Sequence, residues 1–146
     1  MALPGALQLP DGSWVRGRGL RNPSPAGIPD YGLYLGGKRL RERHSTSLAW
    51  SHDWIPWPDF LLPQDNALAV RLIRAAHGRA LAGADVEIAC GGGIGRTGTV
   101  IACLAILSGV APADAVAWTR AHHDPRAVET PWQKRWVLAF PGRAAT

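Results

Sequence analysis

The chain has 146 residues, of which 47% are hydrophobic and 18% charged, with a formal net charge of +5. That length suits one compact domain, and the composition excludes a largely disordered chain. No run of about 18 apolar residues exists, so no membrane span is expected, and the start Met1-Ala2-Leu3-Pro4-Gly5 lacks the basic and apolar regions of a signal peptide.

Two cysteines, Cys90 and Cys103, make neither a disulfide scaffold nor a four-ligand zinc site. Arginine dominates the basic residues, lysine occurring only at Lys38 and Lys134. With abundant Ala, Gly and Pro, this suggests a GC-rich, bacterial genome. The positive charge favours anionic partners. The arginines are scattered, however, so nucleic acid is not the expected main partner.

In chain order, residues 1–30 form a Gly/Pro-rich segment with a short strand at 13–20 and a proline-broken loop at 21–30. Residues 31–35 read as a second strand, stopped by Gly36-Gly37, and 47–50 as a third. Residues 51–63, with Trp54, Trp57, Phe60 and three prolines, read as an aromatic loop without helix or strand. A helix follows over 65–81, with Asp65 as N-cap and Gly83 as stop. A strand over 85–90 ends in Cys90. A glycine-rich turn, 91–95, leads into an apolar helix over 97–107. Pro112 opens a helix to about His122, and Thr130-Pro131-Trp132-Gln133 opens the last.

The segment from Ala89 to Gly98 carries the chemistry. It sets a thiol at a strand end and an arginine six positions later, where a helix begins. Gly91, Gly92, Gly93, Ile94 and Gly95 can turn successive backbone N–H groups inward, and the helix N-terminus adds free donors and positive field. Arg96 can hold two oxygens of a tetrahedral anion. The same field favours the thiolate of Cys90, a nucleophile aimed at a bound phosphate. Two overlapping glycine motifs fail. Gly93-x-Gly95-x-x-Gly98 lacks the later strand-borne acid of a dinucleotide site, Asp114 lying at a helix start, and a Walker A loop would need lysine where Arg96 stands.

Cys90-x5-Arg96-Thr97 resembles the signature loop of the cysteine-dependent protein tyrosine phosphatase superfamily. Trp57-Pro58-Asp59, 31 positions before Cys90, resembles its general-acid loop, and Glu129-Thr130-x-x-Gln133 its late glutamine motif. The matches run in the family's order over about residues 47–140, and the small size is similar to the compact dual-specificity type. The resemblance implies an α/β fold with a small, mostly parallel central sheet flanked by helices, in one phosphatase-like domain over 1–146. It implies Cys90 as nucleophile, Arg96 and the 91–95 amides as oxyanion ligands, and Asp59 as general acid and then base. Thr97 would assist the departing thiolate, and Gln133 would position water. Neither metal nor other cofactor is implied.

The implied substrate is phosphotyrosine in proteins, then phosphoserine or phosphothreonine, or a small phosphate ester, with phosphate, sulfate or vanadate as site ligands. Superfamily members that act on inositol phospholipids often carry extra basic residues in the loop interior, which here has no lysine, so that substrate is disfavoured; no membrane partner is expected. The family's usual histidine before the nucleophile is here Ala89, so a phosphate-binding module without turnover is the rival reading, with a polynucleotide 5′-phosphatase third. A reduced thiol points to the cytoplasm.

Asp53 is the reserve acid, with a structural role expected. Cys103 lies about 10 Å of helical rise beyond Arg96, so it should be core rather than Cys90's disulfide partner. His122 and His123 should end a helix rather than bind metal, and Trp132 and Trp136 should be core. Arg126 could lie at the surface or approach an anionic substrate.

Overall fold

The computed structural model describes residues 2–144 and shows an α/β fold. Five strands, β1 (Leu7–Gln8), β2 (Trp14–Gly19), β3 (Tyr31–Gly36), β4 (Ser51–Pro56) and β5 (Val86–Cys90), form one sheet in the order β1-β2-β5-β3-β4. The hairpin pair β1–β2 is antiparallel, and all other pairs are parallel. All five residues of β5 are buried, as expected of a central parallel strand covered on both faces. Cys90 ends that strand, at the carboxyl edge where open α/β sheets place their ligands.

Five helices complete the fold: α1 (Lys38–His44), α2 (Asn66–Leu81), α3 (Gly95–Leu107), α4 (Ala115–His122) and α5 (Pro131–Ala144). Residues of α2 to α5 share the main core with Leu33, Leu35, Ile55, Ile88 and Cys90. On the opposite sheet face, Leu40 of α1 joins Leu20, Tyr34, Leu48, Trp54 and Ala89 in a smaller core. The period-2 alternation of strand side chains makes this division, sending Ile88 and Cys90 one way and Ala89 the other. Burial of a large apolar side chain such as Ile73 or Phe140 contributes about 1.5–3 kcal/mol.

The aromatic region differs from its sequence reading. Residues 51–56 are a strand, pairing in parallel with β3 from Tyr31↔Ser51 to Gly36↔Pro56. Its proline stands at the last position of an edge strand, where a missing N–H costs least. Residues 47–50, expected as a strand, are not one, since a 3-10 turn occupies Ser45–Ser47. Helix α1 and strand β1 had no sequence expectation. Elsewhere the boundaries agree closely. Asp65 caps α2 by accepting Leu68 N–H at 3.0 Å, and Gly83 leaves the helix at φ +96°. The helix expected from Pro112 begins as a 3-10 turn, Pro112–Asp114, and continues as α4.

The N-terminal segment is tied to the sheet by a buried charge cluster. Glu87 of β5 accepts from Arg16 Nη2 at 2.8 Å, Arg18 Nε at 2.9 Å and the Tyr34 hydroxyl at 2.8 Å. Burial and the Glu87 charge push the Tyr34 phenol well above its ordinary range. Arg16 reaches on to the Ala26 carbonyl at 2.6 Å. An isolated buried carboxylate is costly, and this one is held by two guanidiniums and a hydroxyl.

Candidate active site

Cys90 sits at the end of β5, almost wholly buried, and its Sγ accepts the Gly93 N–H at 3.2 Å. Residues 91–95 then wrap into the start of α3. Two close approaches explain their glycines. Gly93 has φ +77° and packs on the Arg18–Gly19 backbone, leaving no room for a Cβ, and a methyl on Gly95 would overlap the Glu129 carboxylate. The turn is also tied sideways to β2, with Leu20 N–H on Cys90 O at 2.8 Å and Arg21 N–H on Gly91 O at 3.1 Å. Thr99 Oγ1 secures the first turn of α3 by donating to Gly95 O at 2.8 Å.

Arg96 enters from the first turn of α3 and is 4% exposed. One of its terminal nitrogens, Nη1, donates to Trp57 O at 2.9 Å. The other, Nη2, lies 3.5 Å from Asp59 Oδ1. Its Nε is buried with no hydrogen-bond partner. A buried, unsatisfied donor on a cation is expensive. The Nε and Nη2 edge of a guanidinium is the fork that takes two oxygens of a tetrahedral anion. Thr97 Oγ1 is likewise buried without a partner.

Asp59 lies on a tight loop after β4, its side chain 47% exposed, with Oδ1 accepting Phe60 N–H at 3.0 Å. Phe60 has φ +61°, strained for a side-chain-bearing residue. Donors hold this loop by its carbonyls. Trp132 Nε1 donates to Phe60 O at 2.6 Å, and Leu61 O takes Trp57 Nε1 at 2.8 Å and Gln133 Nε2 at 3.2 Å.

Gln133 is fully buried and forms a capping box with Thr130. Its N–H donates to Thr130 Oγ1 at 3.1 Å, while its Oε1 accepts Thr130 N–H at 3.3 Å and Glu129 N–H at 3.0 Å. Glu129 stands at the mouth beside Asp59 and Arg96. Partial burial and then the Asp59 charge raise its carboxyl, against the pull of Arg96 and Arg126.

The structure thus brings Cys90, the 91–95 turn, Arg96 and Asp59 together, and attaches Gln133 through Leu61. Asp53 lies apart and accepts the Tyr31 hydroxyl at 2.8 Å. Cys103 is a free, fully buried core residue whose thiol burial pushes up. Trp136 is core. Trp132 is not: it is 39% exposed and lies over the Asp59 loop, because its indole N–H is used on Phe60 O. Arg126 is exposed and pairs with Asp124. His122 stacks on Trp118, and His123 Nε2 lies 2.8 Å from Gly93 O, a contact across 30 positions with no local sequence signal. Among the described residues, no group of three or more His, Cys, Asp or Glu could hold a metal ion. None of their helices is long and apolar enough to cross a membrane.

A thiol at a central strand end, a glycine turn and a buried arginine opening the next helix define a phosphatase-like α/β domain. The chain belongs to the family described as "PTP-SAK: Swiss Army Knife protein, DSP-PTPase phosphatase domain", whose model matches residues 45–135. No curated protein shows significant sequence similarity to the chain.

Among solved structures, it is similar to the kinase associated phosphatase KAP with its catalytic-site cysteine substituted by serine. That likeness has a TM-score of 0.76 at 13% identity and covers 100% of this chain and 98% of that one. Tk-PTP in its active form gives 0.69 at 24% identity, covering 97% of each chain. PTPMT1 in complex with PI(5)P gives 0.61 at 12% identity, covering 80% of this chain and 79% of that one. At these identities the likeness is one of fold.

Proposed function

We propose that the protein is a cysteine-dependent phosphatase that hydrolyses phosphate monoesters through a phosphocysteine at Cys90. Phosphotyrosine in proteins is the first substrate class, and phosphoserine or phosphothreonine the second. The observation that carries the reading is the buried Arg96 Nε without a partner, in the helix turn next to a thiol that accepts the Gly93 N–H.

In the first step the Cys90 thiolate attacks phosphorus, so an S–P bond forms and the P–O ester bond breaks. Arg96 and the amides of Gly91, Gly92, Gly93, Ile94 and Gly95 hold the equatorial oxygens, and their weight is electrostatic. Asp59 gives its proton to the leaving oxygen. In the second step water attacks phosphorus and loses a proton to Asp59, and the S–P bond breaks to release inorganic phosphate. Thr97 Oγ1, buried without a partner, donates to the departing thiolate. Gln133 positions the water by exchanging its Nε2 bond to Leu61 O, and otherwise holds the Asp59 loop. No step uses a metal. The mechanism needs a reduced Cys90, which suits the cytoplasm.

The test is hydrolysis of p-nitrophenyl phosphate in reductant and chelator, with Cys90→Ser alongside. Turnover that survives chelation, is blocked by vanadate and vanishes in the variant is the expected result, with ³²P from a labelled substrate retained on Cys90 after a neutral denaturant quench. Phosphate binding without turnover would replace the reading by a binding module.

A further inference from the structure

We infer that His123 is a positioning residue for the Cys90 cradle, fixing the Gly93–Ile94 peptide so that Ile94 N–H faces the bound anion. The inference rests on the phosphatase reading and deepens it. Gly93 is tied at both ends. Its N–H donates to Cys90 Sγ at 3.2 Å, and its carbonyl lies 2.8 Å from His123 Nε2. A carbonyl only accepts, so Nε2 carries the proton, as both the Nε2–H tautomer and the imidazolium do. In a planar trans peptide the C=O and the following N–H point opposite ways. Holding Gly93 O on the imidazole therefore turns Ile94 N–H away from it, to the side on which the cradle must offer donors.

Such an anchor is needed because four of the five residues from 91 to 95 are glycine, and glycine restrains its own backbone least. Among the described residues, His123 is the one side chain from outside residues 90–99 that hydrogen-bonds this turn. The residue before the nucleophile, Ala89, packs among Leu20, Tyr34, Leu40, Leu48 and Trp54 and has no donor to offer.

The anchor is itself fixed. His123 caps α4, with its N–H on Thr119 O at 2.8 Å. Its ring lies against Gly17 of β2, where an added Cβ would overlap it. The glycine at position 17 makes room for this imidazole.

The experiment follows Cys90 alkylation by iodoacetamide at fixed pH, since Cys103 is fully buried. Protection by inorganic phosphate, kcat and KM for p-nitrophenyl phosphate, and Tm complete the measurement. His123→Phe keeps a ring without the donor, and His123→Gln keeps a donor. Loss of one hydrogen bond should slow alkylation and weaken phosphate protection about tenfold in His123→Phe, with recovery in His123→Gln. His123→Ala with added imidazole is the second test, with restored alkylation expected.

Equal losses in the Phe and Gln variants, or a lower Tm with alkylation and phosphate protection unchanged, would overturn the inference. Wild-type protein that alkylates and is protected by phosphate yet shows no turnover would remove the phosphatase reading. The alkylation series would still decide the role of His123.

Discussion

In the proposed reaction the Cys90 turn and the Asp59 loop serve one anion, and they are built in opposite ways. The turn is buried at Gly91, Gly93 and Gly95 and held by the residues that follow β2, by the first turn of α3 and by His123. The loop is exposed at Asp59, Phe60 and Leu61 and is held by side-chain donors on its carbonyls and by the Arg96–Asp59 ion pair. Oxyanion binding gains from donors already fixed before reaction. A group that both gives and regains a proton must stay within reach of water. Under the proposed mechanism the contrast answers those two demands, and Arg96 joins the halves through Trp57 O and Asp59.

The two charged groups, Asp59 and Arg96, should give the largest effects. Asp59→Asn should lower kcat by roughly 10²–10⁴ on alkyl phosphates, and much less on aryl phosphates with good leaving groups. Equal losses on both, in steady-state assays, would remove the acid role. Arg96→Lys keeps the charge but loses the planar fork, and should cost about 10²–10³ in kcat/KM, with vanadate inhibition weakened in parallel.

Trp132→Phe removes one donor from the Asp59 loop. About 1 kcal/mol of hydrogen bond translates into roughly a fivefold loss of kcat, and vanadate affinity should stay at the wild-type value because the turn is untouched.

The smallest effect belongs to Glu129, whose carboxyl is raised by burial and by Asp59. A raised carboxyl destabilises the folded state when ionised, so the cost is present at neutral pH and disappears as pH falls below the ordinary value of 4.5. The group is exposed, so screening keeps the effect small. Glu129→Gln should raise Tm by roughly 1 °C at pH 7 and leave it unchanged at pH 4 in paired thermal melts.

The turn was legible from sequence because its signal is local: strand, cysteine, glycines, arginine and helix follow within a dozen residues. The prolines at 56, 58 and 63 hid β4. Its strand character comes from pairing with β3, which periodicity in 51–56 does not report. Helix α1 buries only Leu40, so it has no apolar repeat to find. Trp132 read as core from its spacing with Trp136, and only the tertiary position of Phe60 O shows otherwise. His123 and Gly93 meet for the same non-local reason.

The placement of β5 has a consequence for how the chain reaches its native state. Its two hydrogen-bonded neighbours, β2 and β3, both precede residue 45, where the family match begins. A fragment cut to that match would strip both edges from the strand that ends in Cys90 and leave its amides and carbonyls unpaired. On the ribosome the order is equally awkward: Val15 emerges long before its partner Val86. Until then β2 waits as an open strand, so synthesis should pass through a slow, chaperone-sensitive stage that ends when the Cys90 strand slots between its neighbours.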